Sequence, residues 1–263
     1  MSFVKRPTVQ LLLYLFGIAA VSWCLATLIA PLLPYPPGQV LRRTATVLAG
    51  LTVIPFALRI QRRSWASLGL EWSSRMRGQW VCGMVGGVML FTLLFLVLHR
   101  AGVASVQRPS VGEWLVLLMF IPAALLIGLL EELFFRGVVL QSLITDIGVM
   151  PAVVLSSTFY AVLHFAKYLR EGWSLFPEMF GLFLFGGLLA YAYLRTRLLA
   201  MPVGLHMSLA YLAKMGRKFL VSYGREPAWL FGTDRWIDGA IGRSALLAGF
   251  FLITLLTRRR SSR

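Results

Sequence analysis

The residues best suited to chemistry are ionisable side chains in or beside long apolar segments. Glu131 and Glu132 follow 17 mostly apolar residues, Trp114 to Leu130, and His164 and His206 lie in later apolar segments. Because a charge at the centre of a membrane helix costs about 2.5 to 3.5 kcal/mol on insertion scales, such residues are kept where they are paired or functional. A glutamate and two imidazoles on three helices can activate water, stabilise an oxyanion or hold a metal ion. The pattern therefore favours a functional site within the membrane over three unrelated buried residues.

The acidic pair has a cation within reach on the same helix. Glu132 and Arg136 are four residues apart, so they share a helix face and can form an ion pair. Glu131 lies about 100° further round the helix and has no cation close to it in sequence. That position suits a general base or acid. A purely structural role for both glutamates, in a network with Arg136, is the alternative, and the motif alone does not decide between the two.

Several other catalytic patterns are missing from the sequence. It contains no Gly-x-Ser-x-Gly nucleophile motif and no His-Glu-x-x-His zinc motif. The two cysteines, Cys24 and Cys82, both lie in apolar runs and indicate neither a disulfide framework nor a zinc motif. These absences exclude serine hydrolases with a nucleophile elbow and metalloproteases of the His-Glu-x-x-His type.

Apolar segments that could position these residues recur along the whole chain. Hydrophobic residues make up 58% of the 263 residues and charged residues only 14%, against roughly 25% charged in an average soluble domain. A bilayer core needs about 20 apolar residues per helix, and helices satisfy their own backbone groups there. We therefore predict an all-α polytopic membrane helix bundle with about eight transmembrane helices. The segments are 9–30, 44–60, 79–98, 114–131, 149–166, 176–194, 199–213 and 241–257.

A single integral-membrane domain over 1–263 is the simplest organisation, because the sequence shows no repeat or linker. The motif core of this domain covers about 114–213. No turn signal follows the acidic pair before Gly137, which predicts a long or broken helix there. Gly83 and Gly87 form a small-xxx-small pattern, which is typical of close packing between membrane helices.

The charge balance is strongly basic, with 26 Lys and Arg against 10 Asp and Glu and a net charge of +16. The basic residues lie mostly between or beside apolar segments, where they are typical of topology determinants and lipid-headgroup anchors. We therefore expect the lipid bilayer, and not nucleic acid, as their partner. Apart from those in the long last loop, 214–240, more of the Lys and Arg residues fall on the side that carries both termini. This distribution predicts that both termini lie in the cytoplasm. We expect a multi-pass protein of a bacterial inner membrane.

Three motifs resemble those of the CPBP family of intramembrane proteases. That family includes the CAAX prenyl endopeptidases of the Rce type and bacteriocin-processing or self-immunity relatives. Its pattern is Glu-Glu-x-x-x-Arg, then Phe-x-x-x-His, then a histidine that Asn or Asp follows four residues later. The matching motifs here are Glu131-Glu132-x-x-x-Arg136, Tyr160-Ala-Val-Leu-His164 and Gly204-Leu205-His206, in this order on successive apolar segments.

The resemblance implies a role for each matching residue. Glu131 would be the catalytic glutamate, His164 would help it to activate the attacking water, and His206 would stabilise the oxyanion. The supporting residues would be Glu132, Arg136 and Tyr160. The resemblance leaves the cofactor open between none and a divalent metal such as zinc, with Glu131, His164 and His206 as candidate ligands. We favour the metal-free form.

Two positions depart from the family pattern. Tyr160 stands where the family has Phe, which is a mild change. Ala210 stands where many members have Asn, and alanine cannot donate a hydrogen bond, so Ser208 and Tyr211 are the nearby candidates for a second oxyanion donor. Losing one such donor typically costs about 10²–10³ in rate. Some bacterial branches carry a Gly-Leu-His third motif without the Asn, including proteases linked to exosortase-type protein sorting.

The resemblance implies an intramembrane endopeptidase that acts on a membrane-associated protein or peptide. A lipidated protein and a sorting-signal precursor are both open as substrates. One alternative is a proton- or ion-coupled transporter with these ionisable residues along its path, although transporters often show repeated halves and this sequence shows none. The other alternative is a non-catalytic immunity or assembly member of the same family, which Ala210 leaves open because it lacks the hydrogen-bond donor of the usual Asn.

Overall fold

The structure is a computed structural model that describes most of the chain after residue 53. The described residues are 54–56, 58–60, 62–71, 73–165, 176–223, 227–232 and 237–258. The predicted first segment, 9–30, lies outside the described residues, and so does most of the second, 44–60.

The described residues form a helical bundle, which confirms the predicted fold class. Its α-helices are α1 Ser74–Arg100, α2 Val111–Glu132, α3 Gln141–Ile147, α4 Val149–Phe165, α5 Phe176–Thr196, α6 Ala200–Tyr211, α7 Ala228–Phe231 and α8 Ala240–Leu256. Two segments are π-helical, Leu133–Leu140 and Leu212–Leu220, and Trp65–Leu68 is a 3-10 helix. Two three-residue strands, β1 Ala104–Val106 and β2 Val221–Tyr223, pair antiparallel with Ser105 opposite Ser222.

Three stretches of the described chain are long and apolar enough to cross a membrane. They are Ser74–Arg100, Val111–Ile147 and Phe176–Thr196, and Val149–His164 and Ala240–Leu256 are shorter apolar helices. The sixth helix, α6, has only 12 residues, most of them buried, because it packs between α1 and α2 instead of facing lipid. The number of eight spans therefore stays a prediction.

The chain stays helical through the acidic pair, as the missing turn signal predicts. Ser110 caps the start of α2 in a capping box with Glu113, which satisfies the first backbone N–H groups. The helix continues through Glu132 into the π-helical segment and α3, and it ends at Gly148, whose φ is +84°. A glycine suits that backbone conformation because it has no Cβ to clash.

Glycines let α1 and α6 approach each other closely. A Cβ on Gly83 would collide with the carbonyl oxygen of Met201, and one on Gly87 with the hydroxyl of Ser208. From the other side, a Cβ on Gly204 would collide with the carbonyl oxygen of Trp80. The small-xxx-small pattern of α1 is therefore a helix-packing face, and it fixes the position of α6, which carries His206.

Candidate active site

The candidate residues come from three helices that meet inside the bundle. Glu131 and Glu132 end α2, His164 lies in the last turn of α4, and His206 lies in the middle of α6. The helix α6 packs against α2, while α4 packs against α5 and the π-helical segment Leu133–Leu140. The bundle therefore brings together residues that are up to 75 positions apart in sequence.

Glu131 lies between the two histidines. Its Oε2 atom is 3.7 Å from Nε2 of His164 and 3.7 Å from Nε2 of His206. Exposure differs across the three side chains, at 35% for His164, 19% for Glu131 and 4% for His206. The site therefore opens on the side of His164 and closes on the side of His206.

Glu132 is the buried centre of a second, tighter set of contacts. Its side chain is fully buried, and its Oε1 atom lies 2.7 Å from Nη1 of Arg136 and 2.7 Å from Nδ1 of His206. Arg136 also donates through Nη2 to the carbonyl oxygen of Gly186 on α5, at 2.9 Å. The pair of Glu132 with Arg136 that the sequence predicts is thus present. Glu132 also holds His206, a contact that the sequence does not predict.

Hydrogen bonds at Nδ1 decide what the Nε2 atom of each histidine can do. Nδ1 of His164 lies 2.9 Å from the carbonyl oxygen of Tyr160, and a carbonyl can only accept, so Nδ1 carries the proton. In the neutral ring, Nε2 of His164 is then an acceptor that points toward Glu131. Nδ1 of His206 donates to the Glu132 carboxylate in the same way, which fixes the orientation of that ring as well.

The buried ring of Tyr160 packs against both histidines of the site. Its ring is 2% exposed and lies with its centroid 4.3 Å from that of His164 and 6.2 Å from that of His206. The Arg136 guanidinium carbon lies 5.2 Å from the centroid of the same ring. The Tyr160 hydroxyl and the Glu131 carboxylate interact electrostatically. Tyr160 therefore contacts every member of the site through either its ring or its hydroxyl, except the fully buried Glu132.

Among the described residues, Oε2 of Glu131 is a buried oxygen that lacks a hydrogen-bond partner. The same holds for Oε2 of Glu132. Buried polar atoms are nearly always hydrogen-bonded, so each exception calls for an explanation. The oxygen of Glu131 is the atom that faces both imidazoles.

The two candidates for a second oxyanion donor have other partners. The Ser208 hydroxyl donates to the carbonyl oxygen of Gly204 at 2.9 Å, and the Tyr211 hydroxyl donates to that of Leu117, also at 2.9 Å. Ser208 faces Gly87 of α1. Ala210 is half-buried and offers no donor. Neither hydroxyl is therefore set to serve the site in this conformation.

The family resemblance names Glu131, His164 and His206 as candidate metal ligands. Within the described part of the chain, no three His, Cys, Asp or Glu side chains are arranged so that they could bind one. Nδ1 of each histidine is used to orient its ring, and Nε2 of each faces Glu131. We derive no catalytic step through a metal.

Two residues of the site have no counterpart in the sequence prediction. The carbonyl oxygen of Gly186 accepts a hydrogen bond from Arg136, and the Phe185 ring packs edge-on against His206 with centroids 5.3 Å apart. The adjacent glycines Gly186 and Gly187 are the signal that could have indicated a close approach to α5, because a Cβ on Gly186 would lie 3.1 Å from Cα of Ser157.

Part of the chain matches the model of a known protein family. Residues 113–212 match the model of a family described as type II CAAX prenyl endopeptidase Rce1-like, and the match contains all six predicted site residues. This part of the chain is therefore Rce1-like, as in the intramembrane proteases of the CPBP family. The match supports an integral membrane protein that is a CAAX-type intramembrane endopeptidase with a membrane-associated protein as substrate. No curated protein and no solved structure matches the chain.

Proposed function

We propose that the chain is an intramembrane endopeptidase in which Glu131 and His164 activate a water molecule and His206 stabilises the oxyanion. The observation that carries this proposal is the position of Oε2 of Glu131, 3.7 Å from Nε2 of both histidines. Oε2 of Glu131 and Nε2 of His164 can therefore both accept a hydrogen bond from one water molecule, whose oxygen then lies about 2.8 Å from each atom. The geometry therefore suits water activation between Glu131 and His164.

The chemical step follows from these contacts. The water donates one hydrogen bond to Oε2 of Glu131 and the other to Nε2 of His164, and its oxygen attacks the carbonyl carbon of the scissile peptide bond. Glu131 takes the proton and later gives it to the leaving amine nitrogen, which closes the proton balance. In its doubly protonated form, with Nδ1–H bonded to Glu132, His206 donates from Nε2 to the developing oxyanion.

The supporting residues orient the catalytic ones. Glu132 holds His206 through Nδ1, and Arg136 neutralises Glu132 and ties it to α5. Tyr160 orients His164 through its carbonyl oxygen and Glu131 through its hydroxyl. We propose a metal-free glutamate mechanism, because the described residues include no three side chains placed to bind a metal ion together.

The substrate is proposed from the place of the site in the bundle. The side chain of His164, at the open edge, is 35% exposed and lies in the last turn of a short apolar helix. We propose that a peptide bond in or beside the bilayer reaches this site. A lipidated protein and a sorting-signal precursor both satisfy this condition.

The orientation is proposed from the distribution of arginines. The described helices place a cluster of arginines at the end of the bundle where α5 and α8 end, next to the C-terminal residue that the structure describes, Arg258. Because cytoplasmic loops carry an excess of Lys and Arg, we propose that this end, and with it the C-terminus, faces the cytoplasm of a bacterial inner membrane.

The experiment compares membrane peptides in cells that express the wild-type chain, Glu131→Gln or His164→Ala. Mass spectrometry should reveal an uncleaved precursor that accumulates in both variants and is processed in the wild type. Glu71→Gln is the matched control, since Glu71 is exposed and lies outside the site, and it should process the precursor normally. Identical peptide profiles in all four strains would overturn the proposal and favour a non-catalytic or transport function.

A further inference from the structure

One end of the bundle carries a dense cluster of arginines, here called the arginine face. It lies where α1 begins and where α5 and α8 end, and the acidic residues there are Glu71 and Asp146. Its members are Arg59, Arg62, Arg63, Arg75, Arg77, Arg195, Arg197 and Arg258. The opposite end mixes basic residues with Glu113, Glu178 and Asp238. The two ends therefore differ strongly in charge.

A backbone junction joins two of the segments that carry these arginines. The N–H of Leu199 donates to the carbonyl oxygen of Gly69 at 3.2 Å, and a Cβ on Gly69 would lie 2.9 Å from the carbonyl oxygen of Arg197. The junction thereby presses the 3-10 helix and its flanking turn against the connection between α5 and α6. Arg63 lies in the turn before the 3-10 helix, and Arg197 lies in the connection between α5 and α6.

Arginine side chains from separate segments interact with the end of α5 beside this junction. Arg75, at the start of α1, donates through Nη2 to the carbonyl oxygen of Thr196 at 3.3 Å. Arg63 and Arg197 both interact electrostatically with Tyr193 of α5. Three separate chain segments thus direct positive charge to the last turn of α5.

The backbone of this region is strained where the arginines lie. Arg62 and Arg197 have φ values of +51° and +59°, and they are the only non-glycine residues in the described chain with positive φ. Left-handed conformations are unfavourable for residues with a Cβ, and they persist mainly where the surrounding structure and function require them. Both strained positions flank the same junction.

The layer below the junction is ordered by side-chain hydrogen bonds. Arg63 donates to Oε1 of Gln141, and Nε2 of Gln141 donates to the hydroxyl of Tyr193. Trp65 of the 3-10 helix is 48% exposed beside this layer, which is typical of an aromatic anchor at a membrane interface. The junction therefore combines fixed positive groups with an interfacial tryptophan.

We propose that this junction binds the phosphate group of an anionic phospholipid through Arg75 and Arg197, beside Arg63. Guanidinium groups present paired N–H donors that match the oxygens of a phosphate. Arg75 and Arg197 form no ion pair with any described residue, and the ends of apolar helices lie at the level of lipid headgroups. The site is distinct from Glu131 and its histidines and does not depend on the proposed peptidase activity.

Native mass spectrometry of the full chain in detergent tests this site by titration with phosphatidylglycerol and, separately, phosphatidylcholine. The wild type should bind phosphatidylglycerol about tenfold more tightly, and Arg75→Gln with Arg197→Gln should remove that preference. The control pair, Arg77→Gln with Arg258→Gln, removes the same charge from the same face and should retain it. Equal loss of the phosphatidylglycerol preference in both pairs of variants would show that general surface charge causes it, and it would contradict the proposed site.

Two further arms keep the test decisive. If the glutamine pair fails to fold, Arg75→Lys with Arg197→Lys keeps the charge without the guanidinium fork, and it should still lose several-fold in affinity for phosphatidylglycerol. Wild-type affinity in the lysine pair would contradict the proposal. Displacement of phosphatidylglycerol by millimolar inorganic phosphate would also contradict it, because it would indicate a site for free phosphate.

Discussion

Nδ1 of His206 lies 2.7 Å from Oε1 of Glu132, the same oxygen that Arg136 contacts at 2.7 Å. Glu132 therefore has two close ionic contacts, and the two glutamates of the motif have different surroundings. Glu132 is fully buried and holds the orientation of His206, while Glu131 is partly exposed and faces both imidazoles. Neighbouring identical residues thus have different roles because the helix directs them about 100° apart.

Arg136→Ala should strongly destabilise the bundle. The side chain is buried against Glu132, and removing one partner of a buried ion pair typically costs about 3–5 kcal/mol, because the remaining charge has no counter-charge. Denaturant unfolding in detergent measures the change, with exposed Arg258→Ala as the control. A double variant, Glu132→Gln with Arg136→Met, should recover part of the loss. Equal stability of Arg136→Ala and Arg258→Ala would contradict the proposed network.

Gly83→Ala should destabilise the contact between α1 and α6. The new methyl group would collide with the backbone carbonyl of Met201, and overpacking of this kind costs about 1–3 kcal/mol. The matched control on the same helix is Gly78→Ala, where a Cβ meets nothing within 4 Å, and it should be neutral or stabilising. Thermal unfolding of both variants decides the point, and a neutral result for Gly83→Ala would show that the helices can separate without cost.

Tyr160→Phe should slow peptide hydrolysis while the fold stays intact. The ring keeps its contacts with both histidines, but Glu131 loses its interaction with the phenol hydroxyl. We expect about a tenfold loss of rate, which corresponds to about 1.4 kcal/mol in the transition state. Tyr211→Phe is the control, since that hydroxyl bonds to Leu117 outside the site. Unchanged cleavage by Tyr160→Phe would assign the residue a packing role alone.

Chelators should leave hydrolysis unchanged. The described residues offer no three-ligand group for a metal ion, and the proposed step needs only Glu131, the histidines and water. Cleavage is measured before and after prolonged treatment with EDTA or 1,10-phenanthroline. Loss of cleavage that added zinc restores would contradict the metal-free mechanism.

Much of the site could be predicted from the sequence because its signals are local. The four-residue spacing of Glu132 and Arg136 predicts their ion pair, and the apolar segments predict the helices that carry His164 and His206. The glycine spacing of α1 predicts its packing face, which the contacts of Gly83 with α6 confirm.

The remaining features depend on tertiary contacts that no local pattern encodes. The hydrogen bond between Glu132 and His206 joins residues 74 positions apart, and the support of Arg136 by Gly186 depends on how α5 packs. The π-helical segments after Glu132 and Tyr211 carry no periodicity distinct from that of an α-helix over eight or nine residues. Part of the long last loop pairs with Ala104–Val106 as β2, because two short strands with weak individual propensity meet only in the folded chain.

The central claim is that Glu131 takes the proton of the attacking water. The most direct test is cleavage of the identified precursor by the purified chain in liposomes, comparing the wild type with Glu131→Gln. Loss of a general base predicts a rate about 10²–10⁴-fold lower for Glu131→Gln, with an unchanged melting temperature. Cleavage by Glu131→Gln at the wild-type rate would contradict the mechanism.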